Sequence, residues 1–209
     1  MLVLIVSAAF GCDDAVFRTL AAPPIPKSGK SSVTGDSTID GARVIGARFT
    51  MDSDVPVSGW RGALSNPERQ DDWVPERFGY DLVEKVDDTH MYLQVNVGFL
   101  FGAVQIRRQL VAELASQATG SRFVTCWRRV NPDPYKAGLA GMVSDATWQD
   151  PSAGWWSVEP FGSGTVVGYQ WWTLAAGLPT AVVKFGATQT LPDLMDAFEA
   201  QARSLAKAG

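Results

Sequence analysis

From Met91 to Phe99 the chain is apolar at every second residue: Met91, Leu93, Val95, Val97 and Phe99 share one side, and Tyr92, Gln94, Asn96 and Gly98 the other. A period of two belongs to a β-strand, whose side chains alternate between faces, and here it makes one face a buried one. The same period recurs in residues 80–86, 104–114, 122–130, 142–148, 155–159 and 165–173. Asp87-Asp88-Thr89 and Pro160-Phe161-Gly162-Ser163-Gly164 carry the residues that tight turns need, so neighbouring runs read as hairpins of one antiparallel sheet. Gly138-Leu139-Ala140-Gly141, after Pro132 and Pro134, marks a longer loop.

Around this sheet the pattern changes. Residues 42–51 form a further strand, and Asp54 before Pro56 reads as the N-cap of a helix. Trp60, Leu64 and Trp73 then fall on two short helical pieces that Pro67 and Pro75 interrupt, because proline lacks the amide a continuing helix needs. At the other end Leu191, Leu194, Met195, Phe198, Ala202 and Leu205 recur at three and four, the spacing of an amphipathic helix that starts near Pro179. Pro192 is expected to kink it or to open its second half. The order predicts an α+β fold: one strand, two short helices, a curved antiparallel sheet, and a long C-terminal helix laid across it.

The 209 residues suit one domain with a tail, and 46% hydrophobic content with Trp 8, Phe 10 and Tyr 4 excludes disorder across the chain. A net charge of -4 argues against a nucleic-acid partner, since phosphate contacts need a basic surface. Arg107, Arg108, Arg122, Arg128 and Arg129 read as a solvated sheet face, with a patch for anionic lipid headgroups the less favoured reading. Cys12 and Cys126 cannot build a disulfide framework or a four-thiolate zinc site, and the one histidine, His90, removes multi-histidine metal sites. His90 sits beside a turn, where a solvent-exposed ring is expected rather than a general base. The Asp pairs at 13–14, 71–72 and 87–88 lack calcium-loop spacing, and Gly162-x-Gly164 lies in a hairpin rather than between strand and helix. No metal, no cofactor and no catalytic residue is expected.

Residues 1–20 read as a targeting segment. Leu2 to Phe10 is apolar, too short to span a bilayer and long enough for the core of a signal peptide, though no Lys or Arg precedes Arg18. Ala9-Phe10-Gly11-Cys12 resembles a bacterial lipobox, which implies lipidation of Cys12 and an exported, membrane-anchored lipoprotein of the bacterial envelope or periplasm. Residues 21–40, rich in Pro, Ser and Gly, read as a tether, with an edge strand around 31–38 the other reading. Residues 41–209 are the folded domain.

Four stretches of that domain are similar to the START-like (SRPBCC, Bet v 1-like) superfamily, over about Gly41 to Lys207. They are Asn66-Pro-Glu-Arg-Gln-Asp-Asp-Trp73; Ile106-Arg-Arg-Gln-Leu-Val111; Gly154-Trp-Trp-Ser-Val-Glu-Pro160 with Gly164-Thr-Val-Val-Gly-Tyr169; and Gly177-Leu-Pro179 with Leu191-Pro-Asp-Leu194. The resemblance implies a helix-grip fold, a sheet wrapped around the C-terminal helix and enclosing an apolar cavity. It also implies a lipid, sterol or fatty acid derivative as ligand. Gln109 stands where the family has an aspartate beside its arginine. Arg108, of one parity with Leu110, either points inward to fix a polar head of the ligand or keeps its head in water.

Candidate liners are Trp73, Leu93, Val95, Val97, Phe123, Trp127, Trp156, Tyr169, Trp171, Val182 and Phe185, with Arg108 as the polar group; each aromatic taken alone reads as core. The helix and the loop at Gly138 to Gly141 are expected to form the entrance, and the protein is expected to be a monomer. Two rivals remain. A polyketide cyclase or hydrolase of the same superfamily needs an acid or base inside the cavity, for which Glu113, Asp145 and Tyr169 are the candidates. A non-catalytic interaction module needs a filled core.

Overall fold

The computed structural model describes residues 12, 30–39, 42–74, 80–87, 89–99, 104–143, 146–148, 152–173 and 179–208. Nine strands join in one sheet: β1 (Ser31–Ile39), β2 (Ala42–Ser53), β3 (Tyr80–Lys85), β4 (His90–Phe99), β5 (Val104–Thr119), β6 (Arg122–Val130), β7 (Thr147–Trp148), β8 (Ser152–Phe161) and β9 (Gly164–Thr173). The order across the sheet is β1-β2-β9-β8-β6-β5-β4-β3, antiparallel throughout, with β7 running parallel beside β5. Helix α1 (Val57–Leu64) and a 3-10 helix (Pro67–Asp72) follow β2, and α2 (Thr180–Ala208) closes the chain. This is the α+β helix-grip arrangement.

Several boundaries differ from the sequence reading. The second half of the tether, from Ser31, pairs with β2 along its full length, from Ser31 opposite Thr50 to Ile39 opposite Ala42. Residues 142–148 yield only the two-residue β7, because residues 131–143 turn back on themselves through amide bonds such as Met142 N–H to Leu139 O (2.8 Å). Asp54 does not cap α1; Pro56 holds that position. The Asp54 carboxylate instead accepts two bonds from the Arg203 guanidinium of α2, at 2.9 and 2.5 Å. That fork holds Asp54 below the usual carboxylate range and raises Arg203 above its own. Pro192 does not open a second helical half: it lies inside α2, which runs as one helix of 29 residues. No described helix is long and apolar enough to cross a membrane.

The faces of the sheet follow from the register. Ala47, Phe49 and Met51 of β2 lie opposite Trp171, Tyr169 and Val167 of β9. Those β9 residues lie opposite Gly154, Trp156 and Val158 of β8. Phe49, Trp156, Tyr169 and Val167 pack in one core with Leu191, Met195 and Phe198 of α2, so this parity is the concave, helix-covered face. Carried across β6 and β5, the same parity places Phe123, Thr125, Trp127 and Arg129 on the concave face with Ala118, Ser116, Leu114 and Ala112. Arg48, Gln170, Trp155, Cys126 and Val111 take the convex face.

The candidate ligand site on the concave face

Cross-strand rows on the concave face change character along the strands. The row of Phe123, Val158, Val167 and Met51 is fully buried. In the next, Trp156 stacks on Tyr169 with ring centroids 4.3 Å apart and meets Phe198 of α2 at 4.5 Å, while Trp73 presents an edge contact to Phe198 at 4.6 Å. These rings interlock as core aromatics do. Trp73, Phe123, Trp156 and Tyr169, four of the expected liners, are therefore packing residues.

One row further the packing loosens. Trp127 and Trp171 flank Gly154 and are only half-buried. Gly154 is required there: a Cβ would lie 2.7 Å from the Trp127 indole, closer than carbon atoms tolerate. On the β4 and β5 side, Leu93, Val95, Leu114 and Arg108 are also half-buried, and all four share the concave parity. Val182 on the first turn of α2 is half-buried, and Phe185 leaves 49% of its surface exposed. The side chain of Val97 lies outside the described residues. The expected liners thus separate into a packed set and a half-open set at the other end of the same face.

The expected polar and gating residues distribute differently. Arg108 does take the concave parity, opposite Val95, and its guanidinium donates to the Arg107 carbonyl at 3.0 Å. The five arginines do not form one face: Arg107, Arg122 and Arg128 are convex, Arg108 and Arg129 concave. Arg122 pairs with Glu159 at 2.9 Å and Arg128 with Glu113 at 2.9 Å. Glu113 is therefore on the convex side and no acid for the cavity; Tyr169 is committed to its stack, and Asp145 lies outside the described residues. Arg129 was hidden within the arginine cluster, although its parity with Phe123 and Trp127 is legible in the text of β6.

The loop at Gly138 to Gly141 is not an entrance. Leu139 is buried against Tyr92 and Val111, on the convex face and behind the sheet from α2. His90 helps to hold it there and is not the solvated ring expected: its Nδ1 meets the Asp87 carboxylate at 2.9 Å, and its Nε2 meets the Tyr135 hydroxyl at 2.9 Å. Burial alone would raise the Asp87 carboxyl, but bonds from the Thr89 amide, the His90 ring and the Thr89 hydroxyl outweigh it and bring it down to about 2. Burial, with the charges of Asp87 and Glu113, raises the Tyr135 phenol, so Tyr135 is a weak acid here and not an activated one.

Cys12, expected to carry acyl chains, is instead joined to Cys126 in a disulfide, Cα to Cα 5.5 Å. A sulfur in a disulfide has no valence left for a thioether, so the bond replaces lipidation at this atom. Cys126 is 1% exposed on the convex face, where Trp155 and Ala115 flank it on the neighbouring strands. Among the described residues no group of His, Cys, Asp or Glu is placed to hold a metal ion.

This geometry has solved counterparts. A STAR-related lipid transfer protein from Xanthomonas axonopodis superposes with a TM-score of 0.61 at 16% identity, covering 84% of this chain and 99% of that one. The human StAR-related lipid transfer protein 5 gives 0.61 at 11% identity, covering 84% and 83%. The chain has the START-like fold. A START superfamily protein from Mycobacterium smegmatis agrees at 0.50 and 16% identity, covering 77% and 98%. No family profile and no curated protein matches the sequence. At these identities the START-like likeness concerns architecture, and the chemistry has to come from the residues.

Proposed function

We propose that this protein binds a hydrophobic small molecule, a lipid, sterol or fatty acid derivative, between the concave face and the N-terminal half of α2. The observation that carries this reading is the half-open pair Trp127 and Trp171, one row beyond a tightly packed aromatic layer, with half-buried Leu93 and Val95 further along the same concave face. Side chains of that kind gain about 25 cal/mol for each Å² withdrawn from water, so a ligand that covers them is held without directed bonds. The packed layer serves as the floor and sets how far a ligand can enter. The architecture shared with two lipid transfer proteins supports the same reading.

Native mass spectrometry tests it. Protein purified from cells, or incubated with a total lipid extract, is expected to carry a bound species that the Trp127→Ala variant loses while the Trp155→Ala variant, altered on the convex face, retains it. A protein that stays empty with every lipid class, and whose tryptophan fluorescence does not respond to any of them, overturns the lipid-binding reading.

A further inference from the structure

Two adjacent arginines on β6 have opposite fates. Arg128 faces Glu113 across the strand pair, and the carboxylate receives its Nε at 3.0 Å and its Nη2 at 2.9 Å. Arg129, one residue on and on the other face, stands opposite Ala112, whose neighbour on β4 is Met91. Its Nε is buried and has no hydrogen-bond partner among the described residues. Leaving such a donor unpaired forfeits the bonds it made with water, and the loss is larger for a charged group. The described carboxylate whose charge interacts with it is Asp133, which is exposed and already held by Lys136 at 2.7 Å. Glu199, also beside the concave side, is taken by Ser53 and Arg203. Arg108 is no substitute: it lies four residues along β5 from Ala112, about 13 Å away at strand rise.

We propose that Arg129 anchors an acidic group, a carboxylate or a phosphate, at the polar end of the bound molecule. The inference rests on the apolar site proposed above and narrows its ligand to an anionic amphiphile. The chain of such a ligand lies along Trp127 and Trp171, two residues and one row away, and its acid takes the place that Glu113 fills for Arg128. A guanidinium matches a carboxylate or phosphate with two parallel donors, so the anchor fixes direction as well as charge.

Dodecanol, dodecanoate and dodecyl phosphate share one chain and differ only at the head, and their binding at pH 7 is followed by tryptophan fluorescence. The wild type is expected to bind at least one acid about tenfold more tightly than the alcohol, and the better of the two acids identifies the head. Arg129→Met is expected to remove that preference while the affinity for dodecanol stays unchanged, and Arg129→Lys to retain part of it. Equal binding of alcohol and acids by the wild type overturns the anchor but not the apolar site. A preference that survives Arg129→Met overturns the assignment to Arg129. Failure of all three probes and of the lipid extract overturns the site itself. The wild-type comparison decides the matter even if Arg129→Met fails to fold.

Discussion

On the concave face Trp127 and Trp171 stay half-open above a packed floor, whereas on the convex face of the same strands Cys126, Gln170 and Trp172 are sealed from solvent. An antiparallel sheet ordinarily keeps one face dry and gives the other to water. Here the middle of the outward face is sealed as well, although Arg107 and the Arg122–Glu159 pair on the same face are exposed. It carries the Cys12–Cys126 bond, the folded-back loop over Tyr92 and Val111, and Arg48 with its guanidinium 6.0 Å from the Trp155 ring. Burial lowers the pKa of Arg48. The openness above Trp156 is therefore local: it belongs to one end of one face and does not reflect loose packing of the domain.

The largest expected effect comes from the floor. Trp156→Ala removes a ring stacked on Tyr169 and Phe198 and should cost about 3–5 kcal/mol in urea unfolding. A loss below about 1 kcal/mol would mean that the floor is hollow and the two ends of the concave face are alike. On the convex side, Cys126→Ser should cost about 2–5 kcal/mol, and a reductant should lower the melting temperature of the wild type to that of the variant. If reductant leaves the wild type unmoved, the bond is not formed in solution.

Gly154→Ala should cost about 1–3 kcal/mol and weaken ligand binding, because the added methyl drives the Trp127 ring from its place. Trp127→Ala should cost only about 1 kcal/mol of stability while abolishing ligand binding. The contrast of this variant with Trp156→Ala is the sharpest separation of wall from floor. The smallest effect is on pH. A carboxyl depressed from 3.8 to about 2 contributes stability that is complete above about pH 4 and disappears as the pH falls toward 2. Asp87 is largely solvated, so the melting temperature of the wild type should approach that of Asp87→Asn only modestly over that interval.

The strand alternation and the helical spacing made most of this fold legible before any coordinates, because both follow from which residues must leave water. The packed and open parts of the site were not separable in the same way. Trp156 and Trp127 have the same residue type and the same parity, and the Tyr169 stack and the reach of Phe198 across from α2 set Trp156 apart. The loop around Leu139 was assigned to the wrong face because a loop's glycines and prolines reveal a turn but not its direction. The pairing of Cys12 with Cys126 lies beyond local pattern altogether, since the contact spans 114 residues. Arg129 was legible by parity, but that no carboxylate stands opposite it on β5 is a fact of register: Ala112, and not Glu113, is its cross-strand neighbour.

That long-range bond also orders events during synthesis. At about 5–20 residues per second, the thiol of Cys12 leaves the ribosome on the order of 10 s before its mate, with β1 to β5 made in between. Until β6 emerges it is an unmated nucleophile, open to oxidation or to exchange with a foreign disulfide, whose other sulfur leaves as a thiolate. The chain's first cysteine is thus secured only after five strands of the sheet have been made.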